Sequence, residues 1–334
     1  MKTPVLRITL IFAALTLAFA AQAQAPAGSS AAARRASLLQ QASKGVAALP
    51  ALSAALQDEN LVVRRTAARL LIELGAPARP ALIQALSNTD LLVRRAALSA
   101  IAEPPTMEVL PQIEQAARDK EPLMRLAAVN LLVQVKPRTQ AIQDLLEQMR
   151  KDESQAVRDV AGQAVWPFFR ENISLRERKD WDHDIKIVQT IPLPLEGWRF
   201  KTDLKAEGHL QKWFDPGFND SAWDPIKIGA TWEEQGHPGY DGIAWYRGTF
   251  DLPAKPQSLG AELEFGAVDE IAWVWVNGQY VGQHDLGTEG WDKTFALDVT
   301  KELKWGQKNQ ITVRVSDSAF AGGIWKPINI LVLQ

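Results

Sequence analysis

The sequence predicts a multidomain protein, α then β: an α-helical solenoid followed by a β-sandwich jelly roll. Three observations predict it. From Arg34 to Val165 the chain repeats itself with a period of about 30 residues and two helical patterns per period. From about Ile187 to Leu333 it reads as short alternating strands separated by Gly, Pro, Asn and Asp turns. Between the two the composition switches. No Trp, Tyr or Phe occurs from Arg34 to Val165, whereas all twelve Trp and all three Tyr lie at or after Trp166.

The first 23 residues read as a signal peptide. Lys2 and Arg7 form a basic start, Ile8 to Ala21 is an almost unbroken apolar run, and Ala21-Gln22-Ala23 fits a small-x-small cleavage site. The run is short for a membrane span, so no span is expected after cleavage. The expected location is periplasmic or secreted. Pro26 to Ala33 is a small, polar lead-in. The net charge is −2, and losing Lys2 and Arg7 takes it to −4, which argues against a nucleic-acid partner. Absence of Cys excludes disulfides and thiolate metal sites.

Within residues 34–165 the repeat is visible by eye. Gly45-Val-Ala-Ala-Leu-Pro-Ala-Leu-Ser-Ala-Ala-Leu56 is echoed by Gly75-Ala-Pro-Ala-Arg-Pro-Ala-Leu-Ile-Gln-Ala-Leu86, and Val63-Arg-Arg-Thr-Ala-Ala68 by Val93-Arg-Arg-Ala-Ala-Leu98. Arg64, Arg94, Arg125 and Arg158 recur, each preceded six residues earlier by Asp58, Asn88, Asp119 or Asp152. Those Asp and Asn residues are expected to cap the second helix of each unit, and Pro50, Pro80 and Pro111 to open or kink the first. The small residues Ala67, Ala68, Ala96, Ala97, Ala127 and Ala128 let helices approach closely. The pattern resembles HEAT repeats, in about four units. The arginine ladder reads either as a surface for an anionic partner or as structural pairing with neighbouring repeats, and the second reading is preferred.

Residues 166–186 read as a cap and linker. Trp166-Pro167-Phe168-Phe169 is expected to cover the last apolar face of the solenoid, and the lone His183 has no metal-ligand partner. Residues 187–334 follow with clear strands at 261–265, 271–276, 310–315 and 328–333, and Asn277-Gly278 as a hairpin turn.

Gly266-Ala-Val-Asp-Glu-Ile-Ala-Trp-Val-Trp-Val-Asn-Gly-Gln-Tyr-Val-Gly282 is similar to a G-V-D…W-x-N-G-x-x-V-G signature. Phe295-Ala-Leu-Asp-Val-Thr300 and Gly322-Gly-Ile-Trp325 follow in order, and Trp198-Arg-Phe200, Trp223-Asp224 and Trp232-Glu233 fit its opening. Together they resemble the sugar-binding jelly roll of glycoside hydrolase family 2, the β-galactosidase and β-glucuronidase family, with a galactose-binding-like fold. In that family the catalytic acid and nucleophile sit on a barrel that follows the jelly roll. The 334 residues here contain no such barrel, so the resemblance carries over no catalytic residue. It does imply two binding positions: Asp241, in the loop before Trp245-Tyr246-Arg247, and Asp317, shortly before Gly322-Gly323-Ile324.

The loop Gly236 to Gly242 and the strand after it form the expected centre of the site. The candidate ligand-binding residues are Trp232, Glu233, His237, Tyr240, Asp241, Arg247, Asp317 and Trp325. Carboxylates accept from sugar hydroxyls and aromatic rings lie against the sugar's C–H face. Four of them also have a structural reading: an Asx turn for Asp241, core packing for Trp232, Tyr240 and Trp325. Trp273 and Trp275, on one face of a strand, read as packing. Asp269-Glu270 and Glu233-Glu234 are unpromising as catalytic pairs because adjacent strand residues point to opposite faces. No cofactor is expected, although loop carboxylates of this kind can hold Ca²⁺. The leading functional reading is an exported, non-catalytic carbohydrate-binding or accessory protein. A protein-interaction scaffold, with a partner on the repeat surface, and a glycoside-hydrolase-related enzyme or subunit are the alternatives.

Overall fold

The computed structural model describes residues 29–164, 166–171, 174–178 and 184–334. The expected signal peptide and His183 lie outside the described residues. No described helix is long and apolar enough to cross a membrane. The chain forms two compact units, one ending at Glu103 and one running from Pro104 to Gln334.

The first unit holds α1 (Ala31–Ala42), the pair α2 (Leu49–Ala55) and α3 (Leu61–Leu74), and the pair α4 (Arg79–Ala85) and α5 (Leu91–Ile101). The second opens with α6 (Leu110–Ala117), α7 (Pro122–Leu132), α8 (Gln140–Met149) and α9 (Gln155–Ala164). Pro50, Pro80 and Pro111 each fall in the first turn of their helix, where a missing N–H costs nothing. They start these helices without kinking them.

The Asp and Asn residues before the second helices are not the caps expected. Asn60 and Asp90 take that position on α3 and α5 and accept from the N–H groups of Val62 and Leu92. Asp58, Asn88, Asp119 and Asp152, two residues earlier or at the matching place, accept from the backbone N–H two residues on and shape the turn that leads in. The arginine ladder closes the same turns. Arg64, Arg94, Arg125 and Arg158 each donate to the carbonyl six residues upstream. Pairing between repeats is carried by Arg34–Asp58, Arg65–Asp90 and Arg125–Asp152, at 2.7, 2.8 and 2.7 Å. Within the ladder, Arg125 pairs with a neighbouring repeat's carboxylate as the structural reading expects, while the feature all four ladder arginines share is the bond to their own-turn carbonyl.

The β half carries two antiparallel sheets. The smaller has the order β1 (Ile187–Pro192), β10 (Ile328–Leu333), β5 (Gly260–Phe265), β8 (Phe295–Asp298). The larger has the order β3 (Asp224–Ile226), β2 (Trp198–Thr202), β4 (Gly242–Asp251), β9 (Lys308–Asp317), β6 (Ile271–Val276), β7 (Gln279–His284). Ala244 and Tyr246 of β4, Ala272, Val274 and Val276 of β6, and Val313 and Val315 of β9 enter the core between the sheets. The alternate residues stand on the outer face of the larger sheet.

That outer face is aromatic and must be covered. Trp245 and Trp275 stack at 5.3 Å, and Trp213, Phe214, Phe218 and Trp223, from the long β2–β3 connection, lie over them. Trp166 and Phe168 complete the cover: Trp166 lies 5.6 Å from Trp273, and Phe168 meets Trp275 edge-on at 5.2 Å. The expectation that this segment covers the last solenoid face is therefore corrected. Its rings serve the sheet, because Trp273 and Trp275 project outward and would otherwise meet water. Lys136, just after α7, pairs with Asp285 at 2.6 Å, so α6–α9 and the sheets share one compact unit.

Candidate functional site

One end of the sandwich gathers acidic side chains from three segments: the β3–β4 connection, the β5–β6 connection and the end of β9. β9 ends at Asp317, which pairs in register with Gly242, the first residue of β4. Asp241 precedes that residue. Asp269 and Glu270, in the β5–β6 connection, are tied down by backbone bonds: Asp269 N–H to Gly323 O at 3.0 Å, Glu270 N–H to Ser316 O at 3.1 Å. Glu233 reaches the loop between β9 and β10 and accepts from Gly322 N–H at 3.1 Å.

Asp269, Glu270 and Asp317 each place a carboxylate oxygen within 4.8 Å of the other two. The Glu270 carboxylate accepts from the Ser318 hydroxyl, and Asp317 Oδ1 from Ala319 N–H at 3.1 Å. Asp317 Oδ2 and Glu233 Oε1 are buried and have no partner. Burial, and then the neighbouring carboxylates, push Asp269 up to about 7. Asp317 is pushed up to about 6, chiefly by burial, with Glu270, Asp241 and Glu233 adding to it. Every charge acting on either group is another carboxylate. Near neutral pH such a cluster holds an extra proton, accepts hydroxyl donors, or takes a cation. Oxygens that ligate one Ca²⁺ at ~2.4 Å lie no more than about 4.8 Å apart, so the three carboxylates fit a divalent cation in spacing and in donor type.

Glycine makes this packing possible. A Cβ on Gly322 would fall 2.2 Å from the Trp232 ring and 2.7 Å from Asp317 Oδ2. Beyond Gly322 and Gly323, Trp325 stacks on Trp291 with centroids 5.8 Å apart and planes 18° from parallel, and its Nε1–H donates to Trp291 O. Gly290, next to Trp291, packs against the backbone of Glu270, which sets this aromatic pair beside the acidic cluster. Phe320, in the same β9–β10 loop, is 93% exposed.

The residues expected from the sequence separate accordingly. Glu233, Asp241, Asp317 and Trp325 come together at this end. Trp232 does not qualify as a sugar platform. It is fully buried, packs on Phe200, and donates its Nε1–H to Tyr240 O. Arg247 is also corrected. It lies five residues along β4, about 17 Å from the cluster end, and is buried against Asp220 and the carbonyl of Trp213. Tyr240 is half-buried and braces its own loop, its hydroxyl donating to Ile243 O at 2.7 Å. His237 packs on Phe200 at 4.5 Å. Asp241 is exposed. Asp269, Glu270, Trp291 and Phe320 were not among the sequence candidates. Adjacent acids do diverge on a regular strand, but Asp269 and Glu270 sit in the connection before β6, where that rule does not apply.

Comparison with known proteins agrees with this architecture. Residues 17–102 and 79–166 match HEAT repeats, and residues 208–319 match the β-galactosidase second all-beta domain. A β-glucuronidase of Formosa agariphila is 32% identical over 134 residues, covering 36% of this chain and 13% of that protein. The β-galactosidase BoGH2A of Bacteroides ovatus is 26% identical over 167 residues, covering 46% of this chain and 17% of that protein. Among solved structures, a Bacteroides uniformis β-glucuronidase aligns at 24% identity with a TM-score of 0.36, covering 42% of this chain and 17% of that one. The chain thus carries HEAT repeats followed by a β domain related to glycoside hydrolases of the β-galactosidase and β-glucuronidase kind, and it spans under a fifth of the two relatives' lengths.

Proposed function

We propose that this is an exported, non-catalytic carbohydrate-binding or accessory protein, periplasmic or secreted, whose jelly roll takes one end of a glycan at the acidic loop cluster while the HEAT repeats act as scaffold. One observation carries the reading: Glu233 and Asp241 of the β3–β4 connection, Asp269 of the β5–β6 connection and Asp317 at the end of β9 converge with two carboxylate oxygens left unpartnered. Sugar hydroxyls donate to such oxygens, and charge-assisted bonds of this sort are strong. The Trp291–Trp325 stack and exposed Phe320 offer apolar surface beside them. Kinship with β-glucuronidases and a β-galactosidase supports a glycan as the ligand class. The clustered oxygens of Asp269, Glu270 and Asp317 are spaced to share a proton or a cation.

A glycan-array screen of the protein, with and without Ca²⁺, tests this. A defined hit is expected, lost in Asp241→Ala and Asp317→Asn variants. A hit that both variants retain would remove this site.

A second reading has its own observation. Val62 and Leu92 occupy equivalent positions at the start of α3 and α5 in the first unit, and both are exposed. Exposed apolar residues repeated at one position fit a protein partner. Under that reading the full chain captures a partner that a Val62→Asp, Leu92→Asp variant loses, and the array stays blank.

A further inference from the structure

Arg314 lies in the middle of β9 on the outer face of the larger sheet, in register with Trp273 of β6. Its guanidinium stacks between two rings, 4.2 Å from the centroid of Trp273 and 4.6 Å from that of Trp166. The side chain is 6% exposed, and its Nε is buried without a partner. Among the described residues it makes no ion pair and no hydrogen bond. Asp203 influences it only through its field, because the oxygens of that carboxylate are taken by the N–H groups of Glu207, Gly208 and Trp245. A buried charge with no counter-ion is costly and calls for one.

The guanidinium borders a cavity of about 270 Å³ between the α7–α9 segment and the sheet, with Lys136, Arg138, Gln143, Trp166 and Trp273 around it. Lys136 is neutralised by Asp285. Arg138 binds the carbonyls of Ala164 and Val133, yet its Nε is buried and unpaired. Gln143 Oε1 is a buried acceptor with no donor. The cavity therefore presents two cations with no directly paired carboxylate among the described residues, aromatic walls, and one acceptor that lacks a donor, with Asp285 taken by Lys136. Burial also drives the Arg314 guanidinium down to about 10, against the opposing field of Asp203.

We propose that this cavity binds a small hydroxy-carboxylate, its carboxylate on Arg314, a hydroxyl on Gln143 Oε1, and its carbon skeleton beside Trp166 and Trp273. A guanidinium fork matches a carboxylate in two parallel bonds. The volume falls just under the ~300 Å³ at which drug-sized ligand pockets begin, which suits a molecule of monosaccharide size. The site is separate from the acidic loop cluster, whose charge has the opposite sign.

Calorimetric titration of the full chain with sodium glucuronate tests the proposal, beside glucose as the neutral counterpart and inorganic sulfate as the anion without a skeleton. Glucuronate is expected to bind, and glucose and sulfate to bind at least about tenfold more weakly. Arg314→Gln is expected to weaken glucuronate by at least about tenfold, the loss of a charge-assisted pair. Gln143→Leu leaves both arginines in place and keeps the test open if the first variant does not fold; it is expected to weaken glucuronate several-fold. Absence of glucuronate binding in the wild type would overturn the proposal. So would equal binding of glucose or sulfate, full affinity in folded Arg314→Gln, or unchanged affinity in Gln143→Leu. Loss of glucuronate in Asp241→Ala with retention in Arg314→Gln would place the ligand at the loop cluster and equally sink this assignment.

Discussion

Replacing Asp317 by Asn should change how the β half responds to pH. In the folded protein the Asp317 carboxyl is pushed from an ordinary 3.8 up to about 6, and Asp269 up to about 7. The folded state thus holds protons that the unfolded chain gives up. Stability linked to those protons is complete below about pH 4 and is lost as pH rises through about 6 to 7. Asp317 is 3% exposed. Titrating alone, it would cost ~3 kcal/mol above pH 7. It shares its field with Glu270, Asp241 and Glu233, so about 1–2 kcal/mol is expected from it. Asn removes the charge and keeps the shape. Urea unfolding at pH 4.5, 6 and 8 should show wild-type stability falling across the series and Asp317→Asn staying flatter, at least matching wild type at pH 8. About 1 mM Ca²⁺ at pH 8 should restore the wild type and do little for the variant. Parallel pH curves for the two proteins would show that the cluster is not strained by its charge.

Four further substitutions separate packing from function. Gly322→Ala pushes a Cβ into the Trp232 ring and the Asp317 carboxylate, and should cost about 1–3 kcal/mol by denaturant unfolding. Trp232→Ala removes a fully buried ring and should cost about 3–5 kcal/mol, with no loss of glycan binding beyond that of the unfolded fraction. Arg125→Ala breaks a largely buried pair with Asp152 and two carbonyl bonds, and should cost about 1–3 kcal/mol. Arg69→Ala, which loses only an exposed pair with Glu73, should cost under ~0.5 kcal/mol.

The solenoid was legible because each repeat writes the same local rules again: proline in a first turn, a polar residue before the second helix, small residues where helices touch. The offset of two residues in the caps shows the limit of that reading. Asp58 and Asn60 are both good cap residues, and only the geometry of the turn decides which closes the helix and which shapes the approach. Strands such as 271–276 and 328–333 were legible from alternation. Alternation also marked Trp273 and Trp275 as one face, but it could not say what would cover them. The answer, Trp166 and Phe168, comes from more than 100 residues upstream, a distance over which no periodicity carries information.

The acidic site was half legible for a related reason. Asp241 and Asp317 flank strands that pair, so the register that joins Gly242 to Asp317 brings them together. Asp269 and Glu270 were passed over by a rule that holds for residues inside a strand. They lie just outside one, where the chain is pinned to Gly323 and Ser316 and both carboxylates can turn the same way. Trp232 went wrong in the opposite direction. A loop position suggested an exposed ring, but Gly322 and Gly323 have no side chains, and the space they leave is what the indole fills. The glycines that allow carboxylates to crowd at this end also draw the tryptophan inward. The aromatic surface left for a ligand therefore comes from Trp291, Trp325 and Phe320, which stay outside the core between the sheets.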